Sequence, residues 1–256
     1  MDLFDVHECV NSPDYDFLRN DNRFGGNIVL LGVGGSYAYG TNVESSDLDI
    51  RGIALNSKRE ILLGKDWRSY EPSGVDAKIY SVRHVLGLLK DCNPSSIEML
   101  GYDKENYLVL SPIGKKLIEN KEVFFTQKAT NSFGGYANFQ ASIVEKMIKS
   151  GEPKAKIAKA MMHRVRVYYT AFDILERGEL IVRRDREHDL LMNIRNGEYQ
   201  NADNAPNTDY EALVNDLEAR FQYASLNTML PEEFDETIVE DLLYEINNEI
   251  VTKERV

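Results

Sequence analysis

The chain has 256 residues, 43% of them hydrophobic and 28% charged, with a net charge of −12, a length and balance that suit a globular protein of one or two domains. No apolar stretch is long enough to span a bilayer, and the acidic start Met1-Asp2-Leu3-Phe4-Asp5 lacks a signal-peptide layout. Cys9 and Cys92 make neither a disulfide framework nor a structural zinc site, and the four histidines show no metal-ligand spacing, so the expected compartment is a reducing cytoplasm.

In chain order, Phe17 to Asn20 reads as the end of an opening helix. Asn27 to Val33 is a short run rich in branched apolar residues, which predicts a buried strand. Gly34-Gly35-Ser36 then turns the chain. A second strand is expected from about Leu48 to Leu55, and a third where Asp76, Lys78 and Tyr80 alternate with Val75, Ala77 and Ile79. Val82, Val85, Leu86 and Leu89 mark a helix from Tyr80 to Asp91, stopped by Asn93-Pro94. Ser95 or Ser96 can cap the next short helix, Ile97 to Gly101, and Pro112 to Asn120 is another. Beyond residue 130 the pattern is helical: Phe133 to Ser150, Lys154 to Arg177 closed by Gly178, Arg184 to Ile194, Asp209 to Gln222 and Phe234 to Val251. The organisation read from this is α/β (α+β), with a small mixed sheet in residues 1–130 and an all-helical region in residues 131–256.

The segment Gly34 to Gly52 carries the chemistry. Gly34 and Gly35 let the backbone approach a ligand closely. If Ser36 opens a helical turn, free backbone N–H groups there face an anion. Asp47 and Asp49, at alternate positions leading into a strand, point the same way and offer oxygen ligands to hard cations. A Gly-Ser turn is alone only a turn, and Asp-x-Asp alone a solvated edge. The combination, strand then Gly-Ser then Asp-x-Asp into a second strand, points to phosphoryl or nucleotidyl transfer.

Gly34, Gly35, Ser36, Ala38, Tyr39 and Gly40, followed by Ser46, Asp47, Asp49, Arg51 and Gly52, resemble the nucleotidyltransferases of the DNA polymerase beta superfamily. The form is similar to a branch of predicted bacterial and phage nucleotidyltransferases with Gly-Gly-Ser-x-Ala-Tyr-Gly and Ser-Asp-x-Asp-x-Arg-Gly. The resemblance runs to about Gly197 and fades in the acidic tail. It implies a polymerase-beta-like domain that moves a nucleoside monophosphate, AMP first, from a nucleoside triphosphate to a hydroxyl with loss of pyrophosphate. It implies two Mg²⁺, replaceable by Mn²⁺, held by Asp47 and Asp49, with Gly35 and Ser36 on the triphosphate. It also implies a third carboxylate on a later strand. Asp76 is the candidate, its alternative being a turn residue after Ser73-Gly74; Asp66, Glu71 and Asp91 sit in no comparable strand pattern. Asn93, Pro94 and Glu98 match the family as well, either shaping the cleft wall or making a capped turn.

Lys156, Lys159, His163 and Arg166 share one helical face, and the resemblance continues through Lys159, His163 and Arg166. They are candidates for phosphate contact, with a solvated basic face and a packed histidine as the alternative. Charge is uneven: residues 201–256 hold 14 acids and 3 bases, while residues 145–186 hold 11 bases and 6 acids. An acidic chain is a poor general binder of nucleic acid, although a local basic face can hold a triphosphate or a short RNA end. Two other readings therefore stay open. One is an RNA or tRNA 3′-end nucleotidyltransferase; the other is a non-enzymatic, antitoxin-type interaction protein that docks a basic partner on its acidic C-terminal region.

Overall fold

The elements of the computed structural model are, in chain order, α1 (Leu3–Val10), α2 (Phe17–Asn20), β1 (Ile28–Val33), α3 (Gly35–Tyr39), β2 (Ile50–Ala54), α4 (Lys58–Leu62), β3 (Ser69–Tyr70), β4 (Ala77–Ser81), α5 (Val82–Lys90), α6 (Pro94–Ile97), β5 (Tyr107–Leu110), α7 (Pro112–Glu119), α8 (Lys128–Lys149), α9 (Lys154–Phe172), α10 (His188–Arg195), α11 (Thr208–Asn227) and α12 (Glu236–Thr252). The structure describes residues 3–252; Met1 and Asp2 of the acidic start, and residues 253–256 of the acidic tail, lie outside the described residues. No described helix is long and apolar enough to cross a membrane.

The five strands form one mixed sheet in the order β3-β4-β2-β1-β5. β1 runs antiparallel to both β2 and β5, whereas β2 and β4 are parallel. An interior place in the sheet explains the sequence of β1: paired on both sides and almost wholly buried, it has no use for polar residues. The parallel pair needs a crossover rather than a hairpin, and α4 with β3 supplies it. Ser57 caps α4 in a reciprocal box: its Oγ accepts from the Glu60 N–H at 3.2 Å, and its own N–H donates to Glu60 Oε2 at 2.8 Å. The second strand begins at Ile50 rather than Leu48, and the residues from Tyr80 divide between the end of β4 and α5.

The chain forms two compact units, one made of Met1–Lys90, Ser95–Phe124 and Phe234–Val256, the other of Asp91–Pro94 and Phe125–Glu233. The division therefore falls at 124/125 instead of 130, and the last helix groups with the sheet. The reason is local. Val239, Leu242 and Ile246 form one buried stripe of α12, the helix packs on α4, Glu245 pairs with Lys116, and the Lys90 ammonium lies 4.9 Å from the centre of the Phe234 ring.

In the second unit α9 is buried nearly all round, with Ile157, Met161, Val165, Tyr168 and Phe172 among its core residues, and α8, α10 and α11 pack against it. A π-helical turn, Asp173–Arg177, continues α9 until Gly178 closes it at φ 66°. Arg184, where the sequence pattern starts its third C-terminal helix, is 2% exposed. Its Nη2 lies 2.6 Å from Asp173 Oδ2, and its Nη1 3.6 Å from Glu187. A buried guanidinium needs such partners, and the third helix accordingly starts later, at His188.

Candidate active site

The site in the sheet-bearing unit is built by register. β1 ends at Val33 opposite Ile50, and the next residue, Gly34, donates its N–H to the Asp49 carbonyl at 2.7 Å. Gly35 follows at φ +57° and opens α3 with the Asp49 side chain directly against it; a Cβ at Gly35 would fall 2.8 Å from the Asp49 Cβ. The N–H groups of Gly35, Ser36 and Tyr37 precede the first intrahelical bond, from Ala38 to the Gly34 carbonyl. Ser36 is half-buried.

The other side is set by the parallel pair. Ile50 lies opposite Ala77, and the Ile50 N–H donates to the Asp76 carbonyl at 2.8 Å. Asp49 and Asp76 thus stand side by side where β2 and β4 begin. Arg51 joins them: Nη2 lies 2.5 Å from Asp49 Oδ1 and Nη1 2.9 Å from Asp76 Oδ1. Nη1 also donates to the Ile50 carbonyl at 2.9 Å. Burial works against the Arg51 charge, but Asp49 and Asp76 outweigh it and hold the guanidinium pKa above its usual value. Asp47, two residues earlier, is exposed on the loop.

Three carboxylates supply only oxygen donors, the ligand type that hard divalent cations take, so the donor set fits Mg²⁺ in kind. Among the described residues, no group of three His, Cys, Asp or Glu side chains is close enough to hold an ion. Asp47 stands apart on its loop, and Arg51 is seated between Asp49 and Asp76. The lesser candidates are engaged elsewhere: Asp66 Oδ1 accepts from the Asn56 amide at 2.9 Å, and Glu71 pairs with Lys78 at 2.5 Å. Asp91 belongs to the other unit.

Two buried groups shape the site from behind. Glu98, 4% exposed, accepts the Tyr39 hydroxyl at 2.9 Å and so ties the end of α3 to the segment after α6. Tyr102 packs on the glycine turn, where a Cβ at Gly34 would fall 2.5 Å from its hydroxyl. Burial pushes the Tyr102 phenol well up, Glu98 and Asp49 add to this, and Arg51 opposes it, so it is a neutral hydroxyl. Glu98→Ala removes the tie on α3, and a stability loss of about 1–3 kcal/mol is expected. Urea unfolding checks this; an unchanged midpoint would mean the bond contributes nothing.

Lys159, His163 and Arg166 all lie on α9 in the second unit but do not form one solvent-facing row. Lys159 is exposed, His163 half-buried and Arg166 buried. The His163 Nε2 is 3.3 Å from the Tyr136 hydroxyl. Burial pushes the imidazole well below its usual 6.5, and Arg166 and Lys159 push the same way. A depressed folded pKa means that the unfolded chain takes up the proton first. Stability from this group is therefore present above about pH 6.5 and is lost as pH falls below it. His163→Gln should flatten the fall of Tm between pH 7 and pH 5.5; an unchanged slope would contradict this.

A strand, glycine turn and short helix followed by carboxylates at the head of a neighbouring strand, on a small mixed sheet, define a nucleotidyltransferase domain of the polymerase beta superfamily. The model of the RNA repair pathway DNA polymerase beta family (RlaP) matches residues 14–244, well past Gly197, and the chain belongs to that family. Membership points to nucleotidyl transfer as the class of activity. The chain is also similar to an uncharacterized 38.9 kDa protein encoded in the nrdC-mobD intergenic region of Enterobacteria phage T4. The two are 28% identical over 127 residues, which take in 44% of this chain and 38% of the phage protein.

Proposed function

We propose that the protein transfers a nucleoside monophosphate, AMP first among the candidates, from a nucleoside triphosphate to a hydroxyl acceptor. The observation that carries this reading is the placement of Asp49 and Asp76 side by side, with Asp49 against the Gly34–Ser36 turn. In the reaction the acceptor oxygen bonds to the α-phosphorus, the bond from that phosphorus to the bridging oxygen breaks, and pyrophosphate leaves with the electron pair. The N–H groups of Gly35 and Ser36, with the serine hydroxyl, hold the triphosphate. Asp76 accepts the proton of the attacking hydroxyl. Asp47, Asp49 and Asp76 would hold two Mg²⁺ or Mn²⁺, which when bound would supply neutralisation of the charge on the triphosphate.

The acceptor has a second, more specific reading. The family is described as part of an RNA repair pathway, which favours an RNA 3′-hydroxyl over a small molecule or protein side chain. The net charge of −12 then calls for recognition of an end through few phosphate contacts, not of a long tract. The test is transfer from each α-labelled ribonucleoside triphosphate, with Mg²⁺, to RNA oligonucleotides with intact or periodate-oxidised 3′ ends. Lengthening of the intact RNA alone supports the reading. Label that enters no RNA excludes RNA as acceptor, and consumption of no triphosphate contradicts the enzyme.

A further inference from the structure

Asp49 and Asp76 are already occupied by a cation that belongs to the chain. The Arg51 guanidinium spans them with one nitrogen on each, 2.5 and 2.9 Å away, and is anchored further by the Ile50 carbonyl. A guanidinium stays charged at any pH a protein survives, so it yields its place only by moving. The pair reaches solvent, the side chain of Arg51 being 22% exposed and that of Asp76 57%. Without a cation between them, two adjacent carboxylates repel.

We infer that Arg51 is a resident counter-ion that holds Asp49 and Asp76 together before metal arrives, and that a divalent cation binds there only by displacing it. Arg51 is thus a positioning residue that sets the metal affinity of the site by competition. This rests on the reading of Asp47, Asp49 and Asp76 as metal ligands. Its consequence is opposite in sign to that of an ordinary supporting residue, whose loss weakens metal binding about 10–100-fold. Loss of the competitor strengthens it.

The experiment is Mn²⁺ titration in the absence of nucleotide, by calorimetry and by thermal shift, on wild type, Arg51→Met, Arg51→Lys and Asp47→Asn/Asp49→Asn. Met keeps the apolar stem and removes the charge. Lys keeps a charge but cannot place two nitrogens on two carboxylates. Arg51→Met is expected to bind Mn²⁺ about tenfold more tightly than wild type, to melt lower in EDTA, and to gain more Tm from Mn²⁺. Arg51→Lys should fall between the two, which decides the matter even if Arg51→Met fails to fold. Affinities equal to or weaker than wild type in the folded Arg51 variants overturn this inference alone. If wild type and Arg51 variants all bind no Mn²⁺, or the aspartate double variant binds it as well as wild type, the metal reading itself falls and the inference with it.

Discussion

Asp49→Asn is expected to lower nucleotidyl transfer by about three orders of magnitude or more, roughly 4 kcal/mol of transition-state stabilisation, while leaving the fold intact. Asparagine has the same shape but one fewer charged oxygen for a cation. The fold survives because what Asp49 gives the backbone is its carbonyl, which accepts the Gly34 N–H and is untouched by the change. Arg51 keeps Asp76 and the Ile50 carbonyl. Asp47→Asn should be as damaging to transfer and even milder to stability, within about 0.5 kcal/mol, because Asp47 is exposed. Single-turnover transfer and thermal melting of each variant separate the two effects. A variant with near wild-type transfer in Mg²⁺ would remove that carboxylate from the chemistry.

Gly35→Ala should cost about 2–4 kcal/mol of stability and abolish triphosphate binding. Two penalties combine. At φ +57° an L-residue is strained by about 1–2 kcal/mol, and the new Cβ would lie 2.8 Å from the Asp49 Cβ, an overlap that displaces either the turn or the carboxylate. The molecule carries its own control. Gly64 has a similar φ of +64°, and a methyl group added there would meet nothing within 4 Å, so Gly64→Ala should show the strain alone. Urea unfolding of both variants measures the difference. Equal losses at the two positions would mean that the contact between Gly35 and Asp49 is not close in solution.

The site is legible in the sequence where chemistry and periodicity coincide. β1 announces itself by an unbroken apolar run, and β4 by the alternation of Lys78 and Tyr80 with Ala77 and Ile79, although the strand begins at Ala77 and leaves Val75 and Asp76 in the segment before it. The bridge made by Arg51 is not read from the sequence, where Arg51 is only a residue of the motif; its pairing with Asp76 depends on the β2–β4 register, which periodicity does not contain. The Ser57-x-x-Glu60 box is a plain helix start that apolar periodicity passes over. β5 escapes the same reading because four residues of an edge strand show little alternation. Arg184 looks solvated in the sequence because its partner Asp173 lies on another element. The apolar stripe of α12 is visible in sequence, but which unit covers Val239, Leu242 and Ile246 is decided by packing alone.

The turn at Gly35 and the carboxylates at Asp47 and Asp49 are proposed to form one nucleotide site. Its most direct test is calorimetric binding of ATP, GTP, CTP and UTP in Mg²⁺ to wild type and to the Asp47→Asn/Asp49→Asn double variant. At least one triphosphate is expected to bind wild type, EDTA to abolish the binding, and the double variant to lose it while melting cooperatively. Binding of none of the four, or binding that survives both EDTA and the double substitution, would contradict it.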